Sequence, residues 1–116
     1  DAGQAEDGLD ALHLELLPTT KILENIKRWN KDIFLVGFKA EYNVSQNELV
    51  KRAFSLLRSA DADLMVANDI GKEGRGFDVD TNEVIIIDKK KSTIAIPLAD
   101  KRTIADRILD EVVKRL

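Results

Sequence analysis

Residues 33–67, which read IFLVGFKAEYNVSQNELVKRAFSLLRSADADLMVA, decide the fold of this chain. They begin inside DIFLVG at residues 32–37, a continuous apolar run whose β-branched and aromatic residues predict a strand buried on both faces. The next segment starts with SQNE, a hydroxyl followed three residues later by a carboxylate, and this capping-box form predicts a helix over residues 45–59. LMVA at residues 64–67 predicts a second buried strand. Strand, helix and strand in this order predict neighbouring parallel strands joined by a right-handed crossover.

Three segments are predicted upstream of this unit. Residues 1–10 are acidic and without period, so we interpret them as a loose lead-in. Residues 11–17 alternate apolar and polar side chains, as a half-exposed strand does. Residues 18–29 begin with Pro-Thr-Thr and predict a helix with a threonine N-cap. Its inward residues are expected to be Ile22, Leu23 and Ile26, with Trp29 as a packing anchor near its end.

A loop, a hairpin and a last helix are predicted downstream. Residues 70–77 contain three glycines and are typical of a loop. Two strand-like runs, residues 83–88 and 92–97, flank the lysines at 89–91 and predict a hairpin. Asp100 is expected to cap a final helix, whose apolar stripe comprises Ile104, Ile108, Leu109, Val112, Val113 and Leu116. The whole pattern predicts an α/β fold: a partial Rossmann-like parallel sheet with a trailing antiparallel hairpin and a C-terminal helix.

The composition favours one soluble domain and argues against several classes of partner. The chain has 116 residues, 44% of them apolar and 34% charged, which is enough for one core and a well-solvated surface. Its net charge of −3 does not fit a nucleic-acid-binding protein, which needs a basic face. Because cysteine is absent, a disulfide scaffold and a thiolate nucleophile are excluded, and a reducing cytoplasm is the expected location. No apolar run approaches the ~20 residues of a membrane span, so we expect no membrane partner.

The first place to look for a site is the carboxyl edge of the two central strands, where open α/β sheets bind ligands. With strands ending at Gly37 and Ala67, the residues that follow are FKAE at 38–41 and Asn68-Asp69. The glycine permits close backbone approach, and the Asn-Asp pair offers an amide and a carboxylate at the sheet edge. The alternative interpretation is that Phe38 belongs to the core and that Asn68-Asp69 forms an Asx turn.

Four motifs in register resemble one known family. They are LHLELLPTTKIL at residues 12–23, LVGFKAE at 35–41, DLMVANDI at 63–70 and GF-x-x-D-x-N at 76–82. Together they resemble the C-terminal half of phosphopantothenoylcysteine synthetase, the ligase half of a bifunctional coenzyme A biosynthesis protein. The resemblance implies that residues 1–116 are the C-terminal portion of a single ligase domain whose N-terminal half lies upstream.

The resemblance also implies an activity and its partners. The family couples 4′-phosphopantothenate to L-cysteine through an acyl-nucleotide intermediate, with Mg²⁺ and with CTP or ATP as the co-substrate. A homodimer is expected, and FMN is expected only if a decarboxylase domain is fused upstream. The catalytic groups are expected upstream of Asp1, so this chain alone is expected to be inactive. The competing hypothesis is a non-catalytic nucleotide-binding or dimerisation module that shares the half-fold.

Carried over residue by residue, the resemblance implies a nucleotide site and leaves its metal ligands unassigned. Phe38 is expected to line the nucleotide pocket. A helix N-terminus near the nucleotide is expected from Thr20, Lys21, Ile22 and Leu23. Free N–H groups and the helix dipole at that end suit a phosphate.

Asn68 and Asp69 match the family's Ala-Asn-Asp stretch and are placed at the site edge, with metal, substrate and structural roles left open. The helix of the β-α-β unit departs from the family. Its phosphate-handling lysines would fall at Leu56 and Ala60, which carry no charge, so the choice between CTP and ATP stays open. The basic residues available as substitutes on the same helix are Lys51, Arg52 and Arg58.

Several other features receive ordinary interpretations. Residues 71–76, GKEGRG, do not have the P-loop order and favour a surface loop, with a substrate-covering loop as the alternative. The lysines at 89–91 favour a solvated hairpin turn, with a substrate-phosphate contact in a neighbouring subunit as the alternative. His13 is interpreted as solvent-facing. Asp78 and Asp80 are interpreted as carboxylates flanking a turn, with a Mg²⁺ site as the alternative.

Overall fold

The computed structural model describes residues 19–72 and 81–116, which form three helices and four strands. In chain order these elements are α1 (Thr19–Trp29), β1 (Val36–Glu41), α2 (Gln46–Ala60), β2 (Leu64–Asp69), β3 (Thr81–Asp88), β4 (Thr93–Asp100) and α3 (Lys101–Arg115).

The four strands form one mixed sheet in the order β1-β2-β3-β4. β1 and β2 run parallel, with Val36 opposite Leu64 and Glu41 opposite Asp69. The β2–β3 and β3–β4 pairs are antiparallel. The predicted α/β fold, with a parallel pair, a trailing antiparallel hairpin and a C-terminal helix, is therefore confirmed.

Helices cover both faces of this sheet, because β2 is apolar on both sides. α1 and α2 pack on one face, over a cluster that includes Met65 and Ala67. α3 packs on the other face, where Ile104 belongs to a cluster with Leu64 and Val66. Side chains alternate along a strand, so even-numbered residues of β2 point toward α3 and odd-numbered residues toward α2.

The two longer helices, α2 and α3, each begin at a capping residue that the sequence predicts. The Ser45 side chain accepts the backbone N–H of Glu48 at 3.1 Å, so α2 starts where the capping box predicts. Asp100 caps α3 in the same way by accepting the N–H of Thr103 at 2.8 Å. Each cap satisfies a donor that has no partner within the helix, which explains why these two boundaries are readable from the sequence.

The first strand lies later in the chain than predicted and is not buried on both faces. β1 occupies Val36–Glu41 in place of residues 32–37. Asn30 forms a turn after α1, accepting the N–H of Asp32 on its side chain and that of Ile33 on its carbonyl, which keeps these residues out of the sheet. β1 is also an edge strand within the described sheet. The apolar run at residues 32–37 was predicted to be one strand, but its first residues belong to the turn after α1.

Both parallel strands continue through the residues that were expected to follow them. Phe38 lies inside β1, and Asn68 and Asp69 are the last two residues of β2. Asn and Asp are uncommon in strands, so the strand was expected to stop at Ala67. Tertiary hydrogen bonds to Asp69, described below, hold this segment in the extended conformation.

Three packing predictions were wrong. Trp29 is 71% exposed and is not a packing anchor, and Ile22 is 40% exposed rather than inward. The apolar stripe of α3 divides into two sets. Its inner residues, which pack toward the sheet, are Ile104, Ile108 and Val112. Its outer residues, which are exposed, are Leu109, Val113 and Leu116. The apolar stripe of α3 is therefore wider than the part of the helix that packs against the sheet.

The lysine turn is exposed, as predicted, but two of its side chains have partners. Lys89 Nζ lies 3.4 Å from an Asp61 carboxylate oxygen and 3.5 Å from one of Asp63. Lys91 Nζ lies 5.4 Å from the centroid of the Phe54 ring. These contacts tie the hairpin tip to α2 and to the residues after it.

Some predictions lie outside the described residues. They concern the lead-in at 1–10, the strand at 11–17 with His13, and the glycine-rich loop around Asp78 and Asp80. Among the helices of 19–72 and 81–116, none has the length and apolarity needed to cross a bilayer.

Candidate functional site

Parallel pairing brings Phe38 and Asn68 onto the same face of the sheet. Phe38 lies opposite Val66 and Ala40 lies opposite Asn68, so the two side chains point toward α3 from adjacent strands. Both line one groove of about 420 Å³ between the sheet and α3. The expected juxtaposition of these residues is confirmed, whereas their roles in binding stay predictions.

This groove has an apolar floor with two amides beside it. Its lining comprises Phe38, Val66, Asn68, Asn82, Val84, Lys101, Ile104, Ala105, Ile108 and Leu109. Asn68 Nδ2 donates to Asn82 Oδ1 at 3.4 Å, and the same oxygen accepts the backbone N–H of Glu83 at 2.8 Å. Among the described residues of the lining, Lys101 is the one charged side chain. An apolar pocket with a few convergent polar groups is the usual form of a small-molecule site.

Asn82 also lines this groove, and no role for it was predicted from the sequence. Asn82 is the last position of the GF-x-x-D-x-N motif and the second residue of β3. Its presence in the motif was the available signal. The contact of Asn82 with Asn68 could not be predicted from the sequence, because it depends on how β3 lies beside β2.

Asp69 points to the opposite face and has a structural role. Its Oδ1 accepts the backbone N–H groups of Asn43 and Gly71 at 2.8 and 2.9 Å. Its Oδ2 accepts the N–H of Val44 at 2.8 Å and Lys72 Nζ at 3.1 Å. The Asp69 side chain therefore joins the loop after β1 to the turn after β2. Four donors occupy the lone pairs that a carboxylate offers, which leaves none for a metal ion or a substrate.

The electrostatics of Asp69 agree with this role. Asp69 is only 4% exposed. Burial by itself would raise the pKa of this carboxyl, but hydrogen bonds from Asn43, Gly71, Val44 and Lys72 outweigh it and hold the pKa far below its usual range. The carboxylate is thus charged at every physiological pH.

Lys21, Ile22 and Leu23, near the start of α1, are not among the described residues that line the groove with Phe38. Lys21 and Ile22 are exposed, and Leu23 is buried against the α2 side of the sheet. Thr20 belongs to the first turn of the helix. Because Phe38 points toward α3, the sheet separates its side chain from that of Leu23. Leu23 therefore lies on the opposite face of the sheet from Phe38, and nucleotide binding by the start of α1 stays a prediction.

A second groove of about 400 Å³ lies between β1 and α2. Lys39 and Arg52 line it, and both bind Glu41, at 3.0 and 2.7 Å. The hydrogen bond from Lys39 lowers the pKa of the Glu41 carboxyl, and the one from Arg52 lowers it further. Burial acts in the opposite direction but is outweighed. This groove therefore contains cations that are already paired within it.

Two of the three substitute cations lie beside this second groove. Lys51 and Arg52 line it together with Leu56, the position at which the family would carry a lysine. Arg58 lies elsewhere, near Asp61. The other family position, Ala60, is buried. Phosphate binding by Lys51 and Arg52 stays a prediction.

The described residues do not form a metal site. Residues 19–72 and 81–116 contain no cluster of three or more His, Cys, Asp or Glu side chains positioned to hold a metal ion. Asp69, which follows the lining residue Asn68 in the chain, turns away from the groove and is saturated by donors. The Mg²⁺ implied by the resemblance does not fit the donors described.

Relatives of known sequence match almost the whole chain. Residues 4–116 match the family described as DNA/pantothenate metabolism flavoprotein C-terminal domain. The chain is 38% identical over 105 residues to the coenzyme A biosynthesis bifunctional protein CoaBC of Thermococcus kodakarensis, and 36% identical over 105 residues to that of Methanocaldococcus jannaschii. Each alignment covers 90% of this chain and 25% of the relative, so the chain spans about a quarter of the length of these proteins.

Solved structures agree with the fold and with this family. The chain superposes with a TM-score of 0.68 on the DNA/pantothenate metabolism flavoprotein from Streptococcus pneumoniae, at 29% identity over 80% of this chain and 39% of that one. A C-terminal domain of CoaBC gives a TM-score of 0.61 at 30% identity, over 81% of this chain and 43% of that one. The chain therefore belongs to the DNA/pantothenate metabolism flavoprotein C-terminal domain family.

Proposed function

We propose that this chain is the C-terminal half of a ligase that joins 4′-phosphopantothenate to L-cysteine in coenzyme A biosynthesis. The observation that carries the proposal is the groove in which Phe38 and Asn68 meet on adjacent parallel strands. Asn68 lines this groove from the carboxyl end of β2, and open α/β sheets bind ligands at the carboxyl ends of their strands, which supports the proposal. The CoaBC relatives, named for coenzyme A biosynthesis, support the same assignment.

The reaction needs a nucleotide because a carboxylate at neutral pH does not acylate an amine. Nucleotidyl transfer from CTP or ATP to the carboxylate gives an acyl-nucleotide and pyrophosphate. The cysteine amine then attacks the acyl carbon and releases the nucleoside monophosphate, forming the amide. Positioning of the reacting groups and neutralisation of the triphosphate are the protein's main contributions.

The described residues contribute binding and shape to this reaction. Phe38 supplies an aromatic surface to the groove, and Asp69 holds the loops at the carboxyl edge of the sheet. Lys51 is the α2 cation proposed for the nucleotide phosphates, whereas Arg52 would first have to leave its ion pairs with Glu41 and Glu48. Catalytic groups and Mg²⁺ ligands are assigned to an upstream half of the same polypeptide, and a homodimer is proposed as the working assembly.

Pyrophosphate release by the full-length protein tests this proposal. We expect release that depends on 4′-phosphopantothenate and on either CTP or ATP, followed by amide formation when cysteine is added. The isolated chain is expected to be inactive. If the full-length protein releases no pyrophosphate with either nucleotide, the ligase assignment fails. Nucleotide binding without turnover would then favour a non-catalytic nucleotide-binding module.

A further inference from the structure

We propose that a helix from the upstream half of the same polypeptide docks in the open space between α3 and β1. The inference rests on the proposed function, because it names the surface at which the two halves of the ligase meet. This surface, the docking cleft, has Phe34 and Val36 on its β1 side and Leu109 and Leu116 on its α3 side. It continues the Phe38 groove toward the amino edge of the sheet, where β1 and β2 begin.

α3 covers only part of its face of the sheet. It packs mainly over β3 and β4, which leaves the same face of β1 open. Phe34 and Val36 pack against the cluster that contains Ile104, yet both are only half-buried. Phe38, the next side chain on that face, is 64% exposed. Among the described residues, this apolar row on β1 therefore lacks a covering helix of the kind that β3 and β4 have.

One flank of α3 faces this open row. Leu109 lines the groove with Phe38, so its flank of the helix points toward β1. Leu116 lies about two helical turns further along and shares that flank. The two leucines are 60% and 79% exposed. Arg115 lies 4.0 Å from the carboxylate of Asp88 at the end of β3, which places the end of α3 at the amino edge of the sheet. The docking cleft is therefore apolar on both sides.

The length of the family's domain indicates what occupies the docking cleft. This chain covers 43% of a solved C-terminal domain of CoaBC, so more than half of that domain lies outside the matched part. Within the described sheet, β1 is an edge strand. The free backbone groups of an edge strand are a template for a further strand. We therefore expect the rest of the domain to continue the sheet beside β1.

The handedness of the crossovers decides which face the upstream helices cover. α1 and α2 both pack on the face of the sheet that carries Met65. Right-handed crossovers that extend a sheet in the opposite direction place their helices on the opposite face, as in a doubly wound sheet. Upstream helices are therefore expected on the α3 face beyond β1. Because packed helices lie 8–10 Å apart, a helix beside α3 would contact Leu109 and Leu116 on one side and the β1 row beneath it.

Thiol labelling of the full-length protein without nucleotide tests this inference. Residues 1–116 contain no cysteine, so an introduced cysteine reports on one position. Leu109→Cys and Leu116→Cys are expected to react with a maleimide at least about tenfold more slowly than Asp110→Cys, because a covered thiol reacts only after local opening. Asp110 is the matched control, since it is exposed and lies on a different flank of α3. All three variants are expected to react alike in urea. Mass spectrometry of the labelled peptide separates each introduced cysteine from any cysteine of the upstream half.

Leu116→Cys keeps the test decisive if Leu109→Cys does not fold, because Leu116 is not among the described residues that line the Phe38 groove. Equal native labelling rates for Leu116→Cys and Asp110→Cys would overturn the inference. Protection that disappears on dilution of the protein would overturn it as well, since a second copy of the chain would then be the occupant. Labelling needs no turnover, so a full-length protein that releases no pyrophosphate would refute the proposed function and leave this result unchanged.

Discussion

The Asp69 carboxylate accepts the backbone N–H of Asn43 at 2.8 Å and thereby joins two segments that lie 26 residues apart. Asn43 has a φ of 54°, in the left-handed region, so the loop after β1 is held in a conformation that few residues adopt unaided. The same carboxylate accepts Gly71 N–H. One side chain thus shapes both loops at the carboxyl edge of the parallel pair.

Asp69→Asn should therefore lower the free energy of unfolding by about 1–3 kcal/mol, because an N–H₂ group would face backbone donors that then lack an acceptor. Urea denaturation measures the change. Asp106→Asn, an isosteric change at an exposed residue of α3, is the control and should be neutral within about 0.5 kcal/mol. A neutral Asp69→Asn would refute the loop-joining role.

The pH dependence of stability should reveal the same group. Because the pKa of Asp69 is lower in the folded chain than in the unfolded chain, its contribution is complete above the unfolded value of about 4 and is lost as the pH falls below it. The difference in urea midpoint between wild type and Asp69→Asn should narrow from pH 7 to pH 3. A difference that stays constant over this range would contradict the assignment.

Phe38→Ala in the full-length protein should weaken nucleotide binding more than it lowers the melting temperature. The ring is 64% exposed, so its removal takes little buried surface from the core. Phe54→Ala is the matched control, since Phe54 packs against the α2-side cluster and should lower the melting temperature without changing nucleotide affinity. Calorimetric titration and thermal denaturation give the two readouts. A large fall in melting temperature with little change in nucleotide affinity would instead show that Phe38 is a packing residue.

Gly37→Ala should destabilise the fold by about 1–3 kcal/mol through overpacking. A Cβ at this position would lie 2.8 Å from Met65 Cε and 2.9 Å from Met65 Sδ, and Met65 is fully buried. Combining the substitution with Met65→Ala should cost less than the sum of the two single changes, because the second removes the atoms in conflict. Additive costs in a double-mutant cycle would show that the Cβ meets no such obstacle.

Asp61→Gly should raise the free energy of unfolding by about 0.5–1 kcal/mol, since Asp61 ends α2 with a φ of 53° that glycine adopts without strain. Its ion pair with Lys89 is exposed and contributes little that would be lost. Asp61→Ala removes the same ion pair without relieving the strain and should bring no gain. Equal effects of glycine and alanine would rule out backbone strain as the cause.

Helix starts and the hairpin tip, which depend on local hydrogen bonds, could be predicted from residue types alone. Ser45 and Asp100 cap the helices that their sequence contexts predict, and the lysine turn forms the predicted hairpin tip. The strand ends were not readable in this way. Asn68 and Asp69 look like a turn in isolation, but pairing with Ala40 and Glu41 of β1, together with tertiary hydrogen bonds to the Asp69 carboxylate, keeps them in β2.

The sequence by itself determined the β-α-β unit, its parallel pairing and the meeting of Phe38 with Asn68, because two continuous apolar runs, a capping box between them and the geometry of the crossover suffice to predict them. The tertiary structure alone decided which face each polar residue serves. Asn68 faces the groove with Asn82, while Asp69 faces the loops on the other side. That division depends on strand register and on partners up to 26 residues away, which no local pattern encodes.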